Sequence, residues 1–364
     1  MSAPSMAAEA RTAARTRLSV VVPAYNNSGQ LHECLKALRA SRYQNYEIIV
    51  VDDCSSEDLR RVASQYDARF LRTSANMGPA GARNLGAKAA EGEILVFVDS
   101  DVTVGPDVLA RVADDLAQNP ELAAVFGSYD EEPASADFIS QHKNLMHHYI
   151  HQISSEEAVS FWAGCGAVRK SVFLEFGGFN AGMFPKPSIE DIELGYRMTL
   201  AGKKILLDKQ IQGKHLKRWT LASLLRADIF CRAVPWARLI LETRRLPRDL
   251  NLTYAARLSA VLVGLLLVAL ILLPISLVGA SGALNPLYVA AAMAGIVGPL
   301  LWLNRHMYLW FAQRRGYWFT CGVALLHWLY YLYSGIAFAY CMLAHRRGRP
   351  AGSQAAVAAV ESQD

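Results

Sequence analysis

The sequence predicts a doubly wound α/β domain with a mostly parallel sheet, followed by an α-helical membrane region. Short β-branched runs alternate with helical patterns from residue 18 to about 130. Leu18–Val22, Tyr46–Val51 and Glu93–Val98 are apolar runs broken only by Ser19, Glu47 and Glu93, and do not alternate, as strands covered on both faces do not. Two long stretches carry no Asp, Glu, Lys or Arg: 47 residues from Leu258 to Asn304 and 29 from Gly316 to Ala344.

Composition sets the limits. The 364 residues are 52% hydrophobic and 19% charged, which excludes a disordered chain. A charge at mid-bilayer costs roughly 2.5–3.5 kcal/mol on insertion scales, so the two uncharged stretches exclude a purely soluble protein. Cys34, Cys54, Cys165, Cys231, Cys321 and Cys341 form no C-x-x-C pair, which argues against a zinc ribbon or disulfide framework and fits a reducing compartment. Residues 1–17 contain Arg11, Arg15 and Arg17 but no apolar core for a signal peptide, and are expected to be a disordered tail. The net charge of +5 gathers beside the uncharged stretches, at Arg244, Arg245 and Arg248, at Arg314 and Arg315, and at Arg346, Arg347 and Arg349. That placement suits anionic lipid rather than nucleic acid.

Each element has its own signal. Leu18–Val22 is a strand ended by Pro23, after which Leu31, Leu35 and Leu38 recur at helical spacing. Tyr46–Val51 and Ala68–Leu71 read as the second and third strands. Gly81–Ala90 reads as a helix, Glu93–Val98 as the fourth strand and Val108–Leu116 as a further helix. Beyond about 131 the pattern loosens: Phe161–Val168 reads as a strand or a loop, Ser188–Ala201 as a helix, Lys204–Leu207 as a strand. His142, His147, His148 and His151 lie in one helix without a Cys or carboxylate partner, which reads as a polar helix face rather than a metal site.

The expected domain plan is 18–220 for the α/β domain and 221–254 for an amphipathic interfacial helix and linker, with Pro235 kinking the helix. The membrane region is 255–344, with spans at about 255–279, 286–304 and 317–343; residues 345–364 form a cytosolic or disordered tail. Ser281–Pro286 separates the first two spans. Three spans and a cytosolic N-terminal domain put Arg314 and Arg315 inside, but carry the Arg346–Arg349 cluster outside, against the positive-inside bias.

In such sheets ligands bind beyond the carboxyl ends of the strands. There the sequence places Pro23, Ala24, Tyr25 and Asn26, then Asp52 and Asp53, then Asp99, Ser100 and Asp101. Four carboxylates sharing one rim repel one another, and a cation or donor-rich ligand resolves the conflict. Asp99 and Asp101 are two apart at a strand end, so both point to one side and suit Mg²⁺ or Mn²⁺. The rival reading is a solvated acidic loop.

The segments VVPAYN (21–26), VDDCSSED (51–58), NMGPAGARNLG (76–86), DSD (99–101) and IED (189–191), in that order, resemble the motif series of family 2 inverting glycosyltransferases with a GT-A fold. The resemblance covers about 18–220. It implies a nucleotide-diphosphate sugar donor and a metal, with Asp101 the stronger ligand and Asp99 toward the ribose. It also implies that Asp52 or Asp53 contacts the base, beside Ala24 and Tyr25; a helix N-cap at 52–55 is compatible. Cys54 stands where the family usually has glycine. Arg83 offers a charged fork for phosphate, or alternatively an ion pair with a sheet-end carboxylate. The family's general base falls on Asp191, beside Glu190, although Ser188–Asp191 also spells a capping box. His215 resembles a third metal ligand. His215–Trp219 echoes the Q/R-x-x-R-W motif of processive synthases with His in the first place, which puts Arg218 and Trp219, with Glu190, in an acceptor or product region.

The expectation is thus a multi-pass enzyme of the cell inner (plasma) membrane, with its catalytic domain cytoplasmic, acting on a lipid or lipid-linked glycan acceptor. Two rivals stand beside it, a processive polysaccharide synthase and a catalytically silent nucleotide-sugar-binding scaffold. A dinucleotide oxidoreductase is disfavoured because no G-x-G-x-x-G follows the first strand.

Overall fold

The computed structural model describes residues 16–244, 253–278 and 285–347. The tail expected over 1–17 lies outside the described residues except for Thr16 and Arg17. So do Arg245 and Arg248, positions 281–284 of the break between spans, and the C-terminal tail from residue 348, Arg349 included. The chain divides into two compact units, Met1–Leu221 and Ala222–Asp364.

The first unit begins with β1 (Leu18–Ala24), α1 (Ser28–Arg39), β2 (Tyr46–Asp52), α2 (Leu59–Ser64), β3 (Arg69–Arg72), α3 (Gly78–Ala89) and β4 (Ile94–Val98). It continues with β5 (Val102–Val104), α4 (Val108–Gln118), β6 (Leu122–Tyr129), α5 (Phe138–Ile153), β7 (Glu157–Ala158) and β8 (Cys165–Arg169). Helices α6 (Lys170–Glu175) and α7 (Glu190–Leu200) then lead to β9 (Lys204–His215). Among the described residues the sheet has nine strands in the order β3-β2-β1-β4-β8-β6-β9-β5, with β7 pairing β9. The left half is parallel, as the continuous apolar runs require. Val20, Val22, Ile48, Val50 and Val96 pack on one face with Leu31, Leu35 and Leu38 of α1 and Val112 and Leu116 of α4. Val21, Ile49, Val51 and Phe97 pack on the other, under Ala80, Ala82 and Ala87 of α3 and the rings of Phe173 and Phe179. Helix α3 lies so close to the sheet that a Cβ at Gly86 would stand 2.4 Å from Val21 Cγ1.

The sheet is mixed because β8 enters antiparallel between β4 and β6. Its small residues, Cys165-Gly166-Ala167, carry little strand signal, which is why 161–168 reads ambiguously in sequence. Strand β9 runs eight residues beyond the expected Leu207 and pairs antiparallel with β5, setting Val102 opposite His215. That pairing joins the D-x-D segment to a residue over a hundred positions away.

The second unit is helical. The stretch expected as one amphipathic helix is α8 (Leu221–Asp228), a π-helical turn (Ile229–Ala233) and α9 (Val234–Thr243), with Pro235 in the first turn of α9. Then come α10 (Tyr254–Val278), α11 (Pro286–Leu303), α12 (Arg305–Arg315) and α13 (Tyr317–Arg346). Among the described residues three helices are long and apolar enough to cross a membrane, Tyr254–Leu277, Pro286–Leu303 and Tyr317–Arg346. Polar side chains join them: Asn304 Nδ2 donates to Ser259 Oγ at 3.0 Å, and the Tyr331 hydroxyl donates to Asn304 Oδ1 at 2.9 Å. Such bonds hold helices together where apolar contact alone gives no preference over lipid.

Candidate active site

The carboxyl ends of β1, β2 and β4 carry the candidate residues. At the first, Pro23 and Ala24 end β1, and Ala24 is buried with its carbonyl accepting from the Asp53 N–H at 2.9 Å. Tyr25 is 50% exposed, leaving a ring face open at the rim. Asn26 takes φ +48°, where asparagine is tolerated, and its Oδ1 accepts from the Ser56 N–H at 2.8 Å. The loops after β1 and β2 are thereby tied together.

Asp52 and Asp53, indistinguishable in sequence, differ in structure. Asp52 is fully buried, accepts from the Ser55 N–H at 2.9 Å and meets Arg72 at 2.9 Å. Asp53 Oδ1 accepts from the Thr73 hydroxyl at 3.0 Å and the Met77 N–H at 2.8 Å. Cys54 follows at φ +63°. That left-handed backbone explains why glycine suits the position and shows that this chain keeps the loop geometry with cysteine.

Arg83, from the second turn of α3, is buried between two carboxylates. Its Nη2 donates to Asp99 Oδ1 at 2.6 Å and its Nη1 to Glu190 Oε1 at 2.8 Å. Of the two roles open to Arg83 in sequence, the ion pair with a sheet-end carboxylate is the one it displays here. Glu190 also accepts from the Ser188 N–H at 3.0 Å. Helix α7 begins at Glu190 with Ile189 at the cap and no side-chain cap, so the capping box spelled by Ser188–Asp191 does not form. Asp191 instead accepts from the Ala163 N–H at 2.9 Å, across to the loop before β8, and from the Ile192 N–H at 2.8 Å. Burial and the charge of Glu190 push the Asp191 carboxyl up to about 6, against the pull of the Ala163 N–H and Arg83. Burial likewise raises Asp99, with Asp101 and Glu190 adding to it and Arg83 opposing.

Asp101 meets His215 rather than Arg83. Ser100 is buried and its Oγ accepts from Asn27 Nδ2 at 2.6 Å. Burial pushes the Asp101 carboxyl up, but when His215 is protonated its hydrogen bond and charge, with Lys217, hold it below the usual carboxylate value. Asp101 Oδ2 stands 3.4 Å from His215 Nε2, and the Leu216 N–H donates to the Asp101 carbonyl at 2.8 Å. The His215 Nδ1–H donates to Asn144 Oδ1 at 2.7 Å, which in a neutral ring leaves Nε2 as a lone pair facing a carboxylate. Two acceptors face each other stably only with a cation or proton between them. One carboxylate oxygen and one imidazole nitrogen, with further positions left for phosphate oxygens and water, fit Mg²⁺ or Mn²⁺. Among the described residues no group of three or more His, Cys, Asp or Glu side chains gathers as a metal site, and Asp99 is paired with Arg83.

Arg218 is largely exposed, 3.7 Å from Asp137, and Trp219 is buried with its N–H donating to Ser140 Oγ at 2.7 Å. Both are thus tied to the start of α5. The histidines of α5 correct the reading of a polar helix face. His142, His148 and His151 are buried, and His148 Nδ1–H and His151 Nδ1–H donate to the Tyr129 and Gly127 carbonyls of β6 at 2.7 and 2.9 Å. The His147 ring packs tilted against Tyr129, with centroids 4.3 Å apart. His148 and His151 thus satisfy backbone carbonyls of β6 from a buried face of the helix. Sequence reasoning missed Asn144, Ala163 and Thr73. Only Asn144 had a signal, its place among the histidines of one helix.

An acidic rim at the strand ends of a mixed α/β sheet defines a GT-A-type domain. In a solved structure of similar fold, a mannosyltransferase from Pyrobaculum calidifontis in complex with GDP-Man and Mn²⁺, the TM-score is 0.59 at 19% identity, covering 90% of this chain and 88% of that one. Residues 19–177 match the Glycosyl transferase family 2 domain, and three long apolar helices follow that segment. An uncharacterized glycosyltransferase of Haemophilus influenzae is 29% identical over 185 residues, 48% of this chain and 60% of that protein. A poly(ribitol-phosphate) beta-glucosyltransferase of Bacillus spizizenii is 36% identical over 103 residues, 26% of this chain and 16% of that protein. The chain therefore spans less than two thirds of the length of these relatives.

Proposed function

We propose that the chain is a membrane-anchored, metal-dependent, inverting glycosyltransferase that moves a sugar from a nucleoside-diphosphate donor to a lipid or lipid-linked acceptor at the cytosolic face. The observation that carries this reading is the Arg83 bridge between Asp99 and Glu190, which couples the D-x-D segment to the start of the helix bearing Asp191. Tyr25 offers an exposed ring for a base to stack on, and the loop of Asp52 and Asp53 borders the same rim. Asp101 and His215 are the residues that would hold Mg²⁺ or Mn²⁺, and the neighbour of similar fold holds Mn²⁺ with GDP-Man in its own complex. What a divalent ion supplies when bound is neutralisation of the charge on the departing diphosphate.

Asp191 is the base. Its raised carboxyl, fixed by the Ala163 N–H, takes the proton of an acceptor hydroxyl. The acceptor oxygen bonds to the anomeric carbon as that carbon's bond to the diphosphate oxygen breaks on the opposite side, which inverts the configuration. Arg83 keeps Asp99 and Glu190 from repelling one another while this occurs. The apolar helices in the same chain support a lipid-borne acceptor, since anchoring converts a three-dimensional search into a local one. The test is a nucleotide-sugar panel offered to membranes of expressing cells, with extracted lipids weighed by mass spectrometry. One added hexose-sized mass on a lipid supports the reading. Donor binding without any product supports the silent scaffold, and a ladder of masses the processive synthase.

A further inference from the structure

We propose that Asn144 is a positioning residue that sets the tautomer of His215 and thereby the affinity of the Asp101–His215 pair for a divalent cation. The inference rests on the metal reading of that pair given above. Asn144 sits in the middle of α5 and is 1% exposed. Its Oδ1 accepts from His215 Nδ1–H at 2.7 Å. A neutral imidazole has one N–H and one lone pair, so a proton held on Nδ1 leaves the lone pair on Nε2. Nε2 is the nitrogen that stands 3.4 Å from Asp101 Oδ2. Tyr129 stacks on the same ring at 4.4 Å and 9°, so the plane of the imidazole is fixed by one neighbour and its protonated edge by the other. A partner on the far nitrogen is the arrangement that orients metal-binding histidines generally.

A second observation separates this role from packing. The Asn144 Nδ2 is buried and has no hydrogen-bond partner among the described residues. A buried amide with its donors unmet works against folding, and an apolar side chain of like volume would avoid that cost. What asparagine keeps at this position is the oxygen, and the oxygen is spent on His215.

The experiment titrates Mn²⁺ into the detergent-solubilised full chain with UDP or GDP present, reading free Mn²⁺ by electron paramagnetic resonance. Asn144→Leu is expected to weaken Mn²⁺ binding by roughly 10–100-fold, with the metal-free melting temperature close to wild type. Asn144→Asp, whose carboxylate still accepts from Nδ1–H, binds at least as tightly as wild type. Unchanged affinity in Asn144→Leu, or weakened affinity in Asn144→Asp, overturns the proposal. Should Asn144→Leu not fold, Asn144→Asp decides alone by the same criterion. His215→Ala distinguishes the two levels of failure. If it binds Mn²⁺ like wild type, or if wild type binds none, the metal reading itself falls and the inference with it. If His215→Ala loses affinity and Asn144→Leu does not, only the positioning role falls.

Discussion

Arg83 and Glu190, 107 positions apart in the chain, meet at 2.8 Å with both side chains 5% exposed. The other arm of the same guanidinium holds Asp99. Without this cation the buried Glu190 and the partly exposed Asp99, carboxylates from different parts of the motif series, would face one another. The arginine is therefore structural and electrostatic at once, and charged under any physiological condition, its carboxylate neighbours raising its pKa against the effect of burial.

Replacing Arg83 by Met should destabilise the first unit by about 3–5 kcal/mol, the penalty for stranding a buried charge. Arg83→Lys should recover only part of this, because an ammonium offers no fork to span two carboxylates. Thermal melts of the full chain check both; equal stability in all three proteins would remove Arg83 from the centre of the account.

Asp191→Asn is expected to lower turnover by about 10²–10⁴-fold while donor affinity stays near wild type, since the amide keeps the shape and loses the base. Donor affinity by calorimetry and turnover by product formation measure the two separately. Equal loss in both would reassign Asp191 to binding or folding.

The raised carboxyl of Asp191 gives a pH dependence with a definite sign. Activity should climb as pH rises through about 6, because only the ionised form accepts a proton. Stability should move the other way. The folded state holds the proton that the unfolded state releases near 3.8, so folding weakens as pH rises between that value and about 6. Asp191→Asn should flatten both limbs of this behaviour. A pH–rate profile and melts across pH 4–7 check it.

The spans give a topological prediction. Three crossings place the C-terminus on the side opposite the catalytic unit. A C-terminal reporter that glows only in the cytoplasm would contradict three crossings and leave one of the helices Tyr254–Leu277, Pro286–Leu303 and Tyr317–Arg346 in the interface.

Much of the fold was legible because parallel strands buried on both faces need continuous apolar runs, as Ile48–Val51 shows. Strand β8 was not, because Gly166 and Ala167 pack by being small and carry no hydrophobic pattern. The rim residues were legible because they sit where strands end. Their partners were not: that Asp191 would hold the Ala163 N–H rather than cap its helix depends on a loop brought in by tertiary structure. The α5 histidines misled for the same reason. Helical spacing places them on a face without saying that β6 covers it.

An acidic rim that grips a nucleotide-sugar through a divalent ion and transfers the sugar must release a nucleoside diphosphate in a metal-dependent way. The most direct measurement is nucleoside-diphosphate release by the purified full chain over a donor panel, with Mn²⁺ or EDTA, in wild type and Asp101→Asn. Release is expected from at least one donor, abolished by EDTA and by the substitution. Release that persists in EDTA and in Asp101→Asn would contradict it.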